Sequence, residues 1–477
     1  MTSTTDFRTS GKDRTNPAGR RSMVALCLGF FMIMMDATVV NTALPSIGAD
    51  LGAPVSGLQW VVDGYTLVFA CLLLSGGSLG DRLGARRVFL TGLAVFTVAS
   101  AACGLAPTAL VLNVARVAQG IGAALVLPTS LALINASFPD RERRVRAIGL
   151  WGGFGGVAAG LGPVVGGALT SWIGWRSVFY VNVPIGVLAA ALTLVAVVAP
   201  RPARRSGLDP WGQVLAVVTV AALAFGLIEG GARGWTAPLV LIAYAVTVVG
   251  AVAFWMVEHR HPDPMLPPRL LRIREFSGAI AVGAAINTGF YGQLFLLSLF
   301  LQHVRHLDPL VAGLALLPMP AATSIASLLA GRHNARRGPR GVMLTGLTIG
   351  ALGLLTLAFA SASSSYWQLL PSLLAVGFGT GYTMPAATAA AIEAAPDRQA
   401  GTASGAFNAS RQLGSTLGVA VFGALVGSLS GVPAAYHVSV IAGGLVFASG
   451  AVVTAWTIPR RRSGRNTPAG RAVDEGS

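Results

Sequence analysis

Charge is what this 477-residue chain has least of: Asp, Glu, Lys and Arg together make up 11% of it, against about 25% in soluble globular chains. Hydrophobic residues make up 53%, so most of the chain must meet lipid rather than water. Cysteine is confined to Cys27, Cys71 and Cys103, each inside an apolar stretch with no paired spacing and no histidine cluster nearby. That excludes a disulfide framework and a thiolate metal site. There is no Gly-x-x-x-x-Gly-Lys-[Ser/Thr] segment and no polar stretch long enough for a nucleotide domain, so ATP drive from this chain is not expected. Nor is there a His-Glu-x-x-His segment or a Ser/His/Asp grouping in a polar segment, and the six histidines lie in or beside loops. Neither enzyme chemistry nor a bound cofactor is expected.

What is present is apolar and periodic. Apolar runs fall near residues 23–45, 58–80, 88–106, 108–135, 145–170, 177–199, 211–229, 237–257, 277–302, 309–331, 342–361, 366–391, 401–428 and 436–458. A bilayer core takes roughly 20 residues per helix, so the pattern predicts an all-α membrane protein with 14 transmembrane helices. Gly (60) and Pro (26) are frequent, which membrane helices tolerate where they pack closely or bend. The run from Met23 to Pro45, preceded by Arg20 and Arg21, is longer than a cleavable signal core and is expected to stay as an anchor.

The net charge of +16 does not indicate nucleic acid, because of where the cations sit. Of the 34 Lys and Arg residues, Arg176, Arg233 and Arg305 fall in the loops opposite the termini and Arg116 and Arg411 within spans. All the others lie on the side shared by both termini, in clusters such as Arg82/Arg86/Arg87 and Arg141/Arg143/Arg144/Arg146. By the positive-inside rule both termini are cytoplasmic. Lys12 is the single lysine, and abundant Arg, Ala and Gly point to a GC-rich bacterium; the expected location is the bacterial inner membrane.

One segment recurs. Gly77-Ser-Leu-Gly-Asp81-Arg82-Leu-Gly84-Ala-Arg86 follows the second run, and Gly331-Arg-His-Asn-Ala335-Arg336-Arg-Gly338-Pro-Arg340 follows the tenth. Duplicated bundles with the substrate path between them are a common transporter architecture. The expected division is a tail (1–22), a six-helix bundle (23–199), two inserted helices with a loop (200–275), a second six-helix bundle (276–458) and a tail (459–477). Ala335 stands where the first copy has Asp81, so the two gates are expected to differ in energy. Asp81 is expected near the positive dipole end of a helix starting near Gly401.

Ionisable residues inside a bilayer cost roughly 2.5–3.5 kcal/mol on insertion scales and need a reason to be there. At about 1.5 Å per residue, Asp36 lies about 14 Å, Asp63 about 8 Å and Arg116 about 12 Å from the outer surface. An aspartate that alternates between a desolvated state and a pairing with Arg116 is a workable proton switch. A fixed ion pair for Asp36, and contact with interfacial water for Asp63, stay open as simpler readings. Asn113, Arg116, Gln119 and Gly120 share one helix face. With Asn41, they join Asn287, Tyr291, Gln293, Arg411 and Gln412 as candidates for the wall of a substrate path, although backbone carbonyls between helices would also account for Arg411. Such a wall suits small drug-like molecules. Besides this substrate the expected partner is lipid, with no obligatory protein partner.

Several segments together resemble the fourteen-helix drug:proton antiporters of the major facilitator superfamily, the EmrB/QacA type. Met35-Asp36-Ala-Thr38-Val-Val-Asn41-Thr-Ala-Leu-Pro45 resembles their first-helix signature, and Gly77 to Arg87 the superfamily's loop motif. Arg116-Val-Ala-Gln119-Gly120-Ile-Gly122 resembles the fourth-helix motif. Gly156-Val-Ala-Ala-Gly160-Leu-Gly162-Pro163-Val-Val-Gly166-Gly167 is similar to the fifth-helix antiporter motif, which superfamily importers generally lack. Trp60-Val-Val-Asp63-Gly-Tyr65 and Leu227-Ile-Glu229-Gly look most like the methylenomycin-resistance type. The resemblance implies proton-driven efflux of drugs or antibiotics by alternating access, with Asp36, Arg116 and Asp63 in proton coupling. Export of an endogenous metabolite or amino acid, and a non-transporting membrane sensor, stay open as alternatives.

Overall fold

An apolar chain in lipid has no water to satisfy its backbone, so each run must close its own hydrogen bonds as a helix. The computed structural model describes residues 17–138, 140–197, 209–262, 264–359, 364–396, 399–428 and 432–460. Residues 1–16 and 461–477 of the expected tails and the loop bearing Arg201, Arg204 and Arg205 lie outside them.

Among the described residues the long helical stretches, in chain order, are α1 (Pro17–Leu51), α2 (Val55–Leu83), α3 (Ala85–Leu105), α4 (Ala109–Ser137), α5 (Arg141–Trp172) and α6 (Ser177–Ala196). They continue with α7 (Pro210–Arg233), α8 (Pro238–Arg260), α9 (Arg274–Val304), α10 (Pro309–Asn334) and α11 (Gly338–Leu357). The last three are α12 (Tyr366–Ala394), α13 (Ala400–Ser428) and α14 (Val432–Thr457). Twelve helical stretches are long and apolar enough to cross a membrane. The other two predicted spans fall on α12 and α13, each 29 residues long. These two are less apolar because they carry polar groups into the interior, among them Thr380, Thr383, Arg411, Ser415 and Thr416.

Helices α1–α6 pack on one another, and α9–α14 do the same around a separate apolar cluster that includes Phe276, Phe300, Met319, Phe407 and Phe447. The repeated segment has a shared backbone feature. Gly84, between α2 and α3, has φ +94°, and Gly338, between α10 and α11, has φ +75°, a region that L side chains with a Cβ avoid. The side chains of Ala335 and Arg336 in the second copy lie outside the described residues.

The two groups of helices are sealed together at one end, the end away from the start of α1. There Ser298 Oγ of α9 donates to the Asn41 carbonyl at 2.7 Å, and Gln302 Nε2 to the Thr42 carbonyl at 3.1 Å. Gln59 Nε2 of α2 donates to the Ala420 carbonyl of α13 at 2.9 Å, and Ser171 Oγ of α5 to Asp308 Oδ1 at 2.6 Å. Phe295, Leu299 and Val419 from the second group complete an apolar cluster built on the first.

Toward the other end, the tail end, α5 and α10 part. Gly160 touches Pro320 and Gly167 meets the Pro309 backbone. One, two and three turns back along the same face, Gly156, Gly153 and Gly149 would meet nothing within 4 Å even with a Cβ. The α2–α13 seam stays in contact further along, with Leu74 packed at Gly405. Helix α7 lies across that seam: Gln213 bonds Ser75 and the Cys71 carbonyl of α2, and Gly231 sits on the Ala424 backbone of α13. Helix α8 packs against α7, and its apolar window is 17% buried, the lowest of the twelve, which places it at the periphery.

Close helix crossings should be intolerant of a single methyl group. A Cβ on Gly76 of α2 would land on the Ala124 carbonyl of α4, so Gly76→Ala is expected to cost about 1–3 kcal/mol. Gly153→Ala, with open space, should be neutral or gain up to about 1 kcal/mol. Thermal unfolding of the two variants in detergent checks the contrast.

Candidate functional site

The membrane interior of α1–α6 holds one polar network centred on two charges. Asp36 of α1 and Arg116 of α4 are 0% and 1% exposed, and Arg116 Nη1 lies 2.5 Å from Asp36 Oδ2. A buried ion pair is stable only when its remaining donors and acceptors are also used. Here they are. Asp36 Oδ1 accepts from Asn182 Nδ2 of α6 at 2.8 Å and from Gln119 Nε2 at 3.3 Å. Arg116 Nε donates to the Val61 carbonyl of α2 at 2.7 Å, and Nη1 also to Gln119 Oε1 at 2.9 Å.

The next layer fixes these partners. Ser100 of α3 takes bonds from Gln119 at 2.6 Å and Asn182 at 3.2 Å, and Cys103 Sγ donates to Gln119 Oε1 at 3.2 Å. The guanidinium lies 4.4 Å from the ring centroid of Tyr65, a cation–π contact worth about 2 kcal/mol when desolvated. The Tyr65 hydroxyl in turn donates to the Ile33 carbonyl of α1 at 3.3 Å. One pair of charges thus ties α1, α2, α3, α4 and α6 together.

Asp63 is also fully buried but stands outside this network. Its Oδ1 accepts from Thr66 at 3.5 Å, Thr66 in turn meets Thr416 of α13 at 3.1 Å, and Oδ2 has no partner. The aspartate therefore serves the seam between the two groups of helices. On the second group, Asn287 bonds Ser415 at 3.2 Å and Arg411 bonds Asn408 at 3.2 Å. Tyr291 packs edge-on against Phe290, and the Gln412 carbonyl accepts from Thr416 at 3.3 Å. Gln293 is fully buried with both amide atoms unpartnered, and the buried Oδ1 of Asn113 is likewise unpartnered. Asn41 turns its amide back onto the Ala37 and Thr38 carbonyls.

The glycine motif of α5 has two faces. Gly162 and Gly166 let α5 sit on Thr38 and Val39 of α1, where Thr38 Oγ1 also donates to the Ala159 carbonyl at 3.1 Å. Gly160, Gly167 and the Pro163 carbonyl face α10, the last through Gly313. Gly156 touches neither. In the loop motif, Gly77 rests near Pro128, Gly84 makes the turn, and Arg86 donates to the Leu194 carbonyl of α6 at 2.7 Å, while Arg82 is half-buried. The expected contact of Asp81 takes a different form: α13 does begin at Ala400, but Asp81 is exposed and makes no hydrogen bond to it among the described residues. The helices meet a few turns away from it, at Leu74 and Gly405.

Sequence reasoning missed Asn182, Ser100 and Gln59. The first two are uncharged polar residues inside apolar runs, which helices absorb so readily that they carry no signal. Gln59 is an amide at a helix start, where water would satisfy it equally well.

Two groups of membrane helices, sealed at one end and parting at the other, are the architecture of a membrane transporter. The chain belongs to the Major Facilitator Superfamily, whose profile matches residues 26–419 and 280–474. It is similar to the methylenomycin A resistance protein of Streptomyces coelicolor, 40% identical over 471 residues that cover 96% of this chain and 98% of the relative. It is also similar to the multidrug resistance protein Stp of Mycobacterium tuberculosis, 42% identical over 405 residues, covering 85% of this chain and 75% of the relative. A third relative is the tetracenomycin C resistance and export protein of Streptomyces glaucescens, 33% identical over 442 residues with 90% and 81% covered.

Removing Arg116 alone should cost far more than removing both charges, because the guanidinium keeps the Val61 carbonyl, Gln119 and the Tyr65 ring without Asp36, while the carboxylate has no other cation among the described residues. Arg116→Met strands a buried carboxylate and is expected to lose about 3–5 kcal/mol, while the double variant Asp36→Asn/Arg116→Met regains most of that. A double-mutant cycle on unfolding in detergent measures the difference.

Proposed function

We propose that this chain exports small drug-like or antibiotic molecules across the cell membrane in exchange for protons, as a six-plus-two-plus-six arrangement of helices with both termini in the cytoplasm. The carrying observation is the fully buried Asp36–Arg116 pair and the hydrogen bonds that fix it to five helices. The names of the relatives supply the substrate class.

The chemistry follows from the bonds. A proton on Asp36 removes the negative charge opposite Arg116 and converts an acceptor of three donated hydrogen bonds into a neutral acid. Arg116 keeps the Val61 carbonyl, Gln119 and the Tyr65 face, so it stays with α2 and α4. What loosens is the hold of α1 on α4 and α6. Because α1 also carries the Asn41 and Thr42 carbonyls that anchor α9, a change at Asp36 reaches the seal between the two halves directly. On this reading the described conformation is closed to the outside and open to the cytoplasm. Protonation of Asp36 from outside accompanies release of the drug outward, and the proton then leaves inward.

The substrate path runs between α5 and α10 on one side and α2 and α13 on the other. Its wall includes Asn113, Asn287, Tyr291, Gln293, Arg411 and Gln412, where unpartnered polar atoms offer specificity within an otherwise apolar surface. Asp63, at the α2–α13 seam, is the second proton-coupling position.

The test is transport in vesicles with an imposed pH gradient, using methylenomycin A and tetracenomycin C as probes. The wild type is expected to show substrate-linked proton flux, and Asp36→Asn to fold normally while gradient-driven transport falls to background. Transport by Asp36→Asn at the wild-type rate would refute the assignment. A wild type that moves neither probe but moves an amino acid would turn the substrate reading to metabolite export.

A further inference from the structure

Helices α7 and α8 take no part in the Asp36–Arg116 network, yet they hold a carboxyl pair of their own. Asp209 caps the start of α7: its Oδ1 accepts from the Gly212 amide at 2.8 Å. Glu258 lies in the last turns of α8, and its Oε2 accepts from the Leu266 amide at 3.1 Å. The residues are 7% and 2% exposed. Each has one oxygen to spare, for Asp209 Oδ2 and Glu258 Oε1 are both buried with no hydrogen-bond partner. The two spare oxygens converge. A Cβ placed on Gly212 would touch both of them, so they face each other over the bare backbone that this glycine leaves.

Among the described residues no hydrogen bond reaches either spare oxygen. His261 follows α8 directly and acts electrostatically on Glu258, His259 lies tilted against Trp255 and meets its carbonyl, and Arg260 is exposed. From α2 the nearest charged residues are Asp81 and Arg82, beyond the Ser75 that meets Gln213. From α13, Arg411 lies further along toward the far end and bonds Asn408. Glu229 and Arg233 pair at the other end of α7.

Two carboxylates buried side by side repel each other, and each leaves an unsatisfied acceptor. One proton resolves both problems, because it cancels one charge and supplies the donor that two acceptors lack. A divalent cation takes about six or more oxygen ligands, far more than two spare carboxylate oxygens supply. Among the described residues no group of three or more His, Cys, Asp or Glu is placed to hold a metal. We infer that Asp209 and Glu258 form a proton-binding site, with one proton taken from water and shared between Asp209 Oδ2 and Glu258 Oε1. The shared proton fastens the start of α7 to the end of α8. Since α7 lies across α2 and α13, one helix from each half, the site clips a strap over the α2–α13 seam. It is separate from the transport reading and stands or falls without it.

The sign of its pH dependence follows from linkage. A proton held by the folded protein and released on unfolding stabilises the fold at low pH, and that stability is lost as pH rises through the titration of the pair. The test uses the full-length protein purified in detergent. Between about pH 6 and about pH 9 the wild-type Tm is expected to fall by several degrees more than that of Glu258→Gln, whose amide donates to Asp209 without titrating. Infrared spectra at neutral pH should show a protonated-carboxyl band in the wild type that is lost in Glu258→Gln. Asp209→Asn, which keeps a good helix cap, gives the same comparison from the other partner if Glu258→Gln does not fold. Equal pH slopes with no difference in the carboxyl band would overturn the inference. So would a wild-type Tm that rises with added Mg²⁺ or Ca²⁺ and falls with chelator while the double variant Asp209→Asn/Glu258→Gln does not respond, since that marks a metal site.

Discussion

A charge inside a bilayer must be neutralised or partnered, and among the described residues this molecule pairs two such charges with each other at one point, between Asp36 and Arg116. Neither residue has another ionised partner within the bundle. Every other bond in the network serves to hold the two in register: Asn182 and Gln119 on the carboxylate, the Val61 carbonyl and the Tyr65 ring on the guanidinium. Helices that slide easily past one another in lipid are thereby held in register by one buried ion pair and its hydrogen bonds.

The second constraint is steric. Membrane helices gain little from apolar contact with one another because lipid tails offer the same, so they associate where backbones approach closely. The α5 glycines supply that on two faces at once, Gly162 and Gly166 toward α1 and Gly160 and Gly167 toward α10. A helix that packs tightly on its own half and on the opposite half couples the two. The coupling stops at Gly156, beyond which α5 and α10 separate. The other seam is treated differently, being covered by α7 along its length. The two sides of the path are therefore unequal, and the inserted helices make them so.

Much of this was legible in the sequence, for identifiable reasons. The absence of charge and the spacing of apolar runs gave the helices, because lipid leaves a run of that length no other structure. Asp36 and Arg116 stood out because ionised side chains are so costly there, and the segment around Gly84 because it recurs around Gly338. Helix rotation was not legible. Asp63 looks equivalent to Asp36 along the chain, yet it bonds Thr66, which itself meets Thr416 at the seam. The partners Asn182 and Ser100 were invisible because a single amide or hydroxyl in an apolar run has many harmless explanations. The meeting of Asp209 with Glu258 was hidden for another reason: the two residues lie about fifty positions apart, at helix ends where a carboxylate usually faces water.

The role proposed for Asp36 is to carry the exchanged proton. It is tested most directly by adding the probe drug that the vesicles transport to purified, weakly buffered carrier and recording proton release with a pH dye. The wild type is predicted to release protons on binding, and Asp36→Asn, binding the same drug, to release none. Undiminished proton release from Asp36→Asn would contradict the account and move the coupling site elsewhere, with Asp63 the first position to examine.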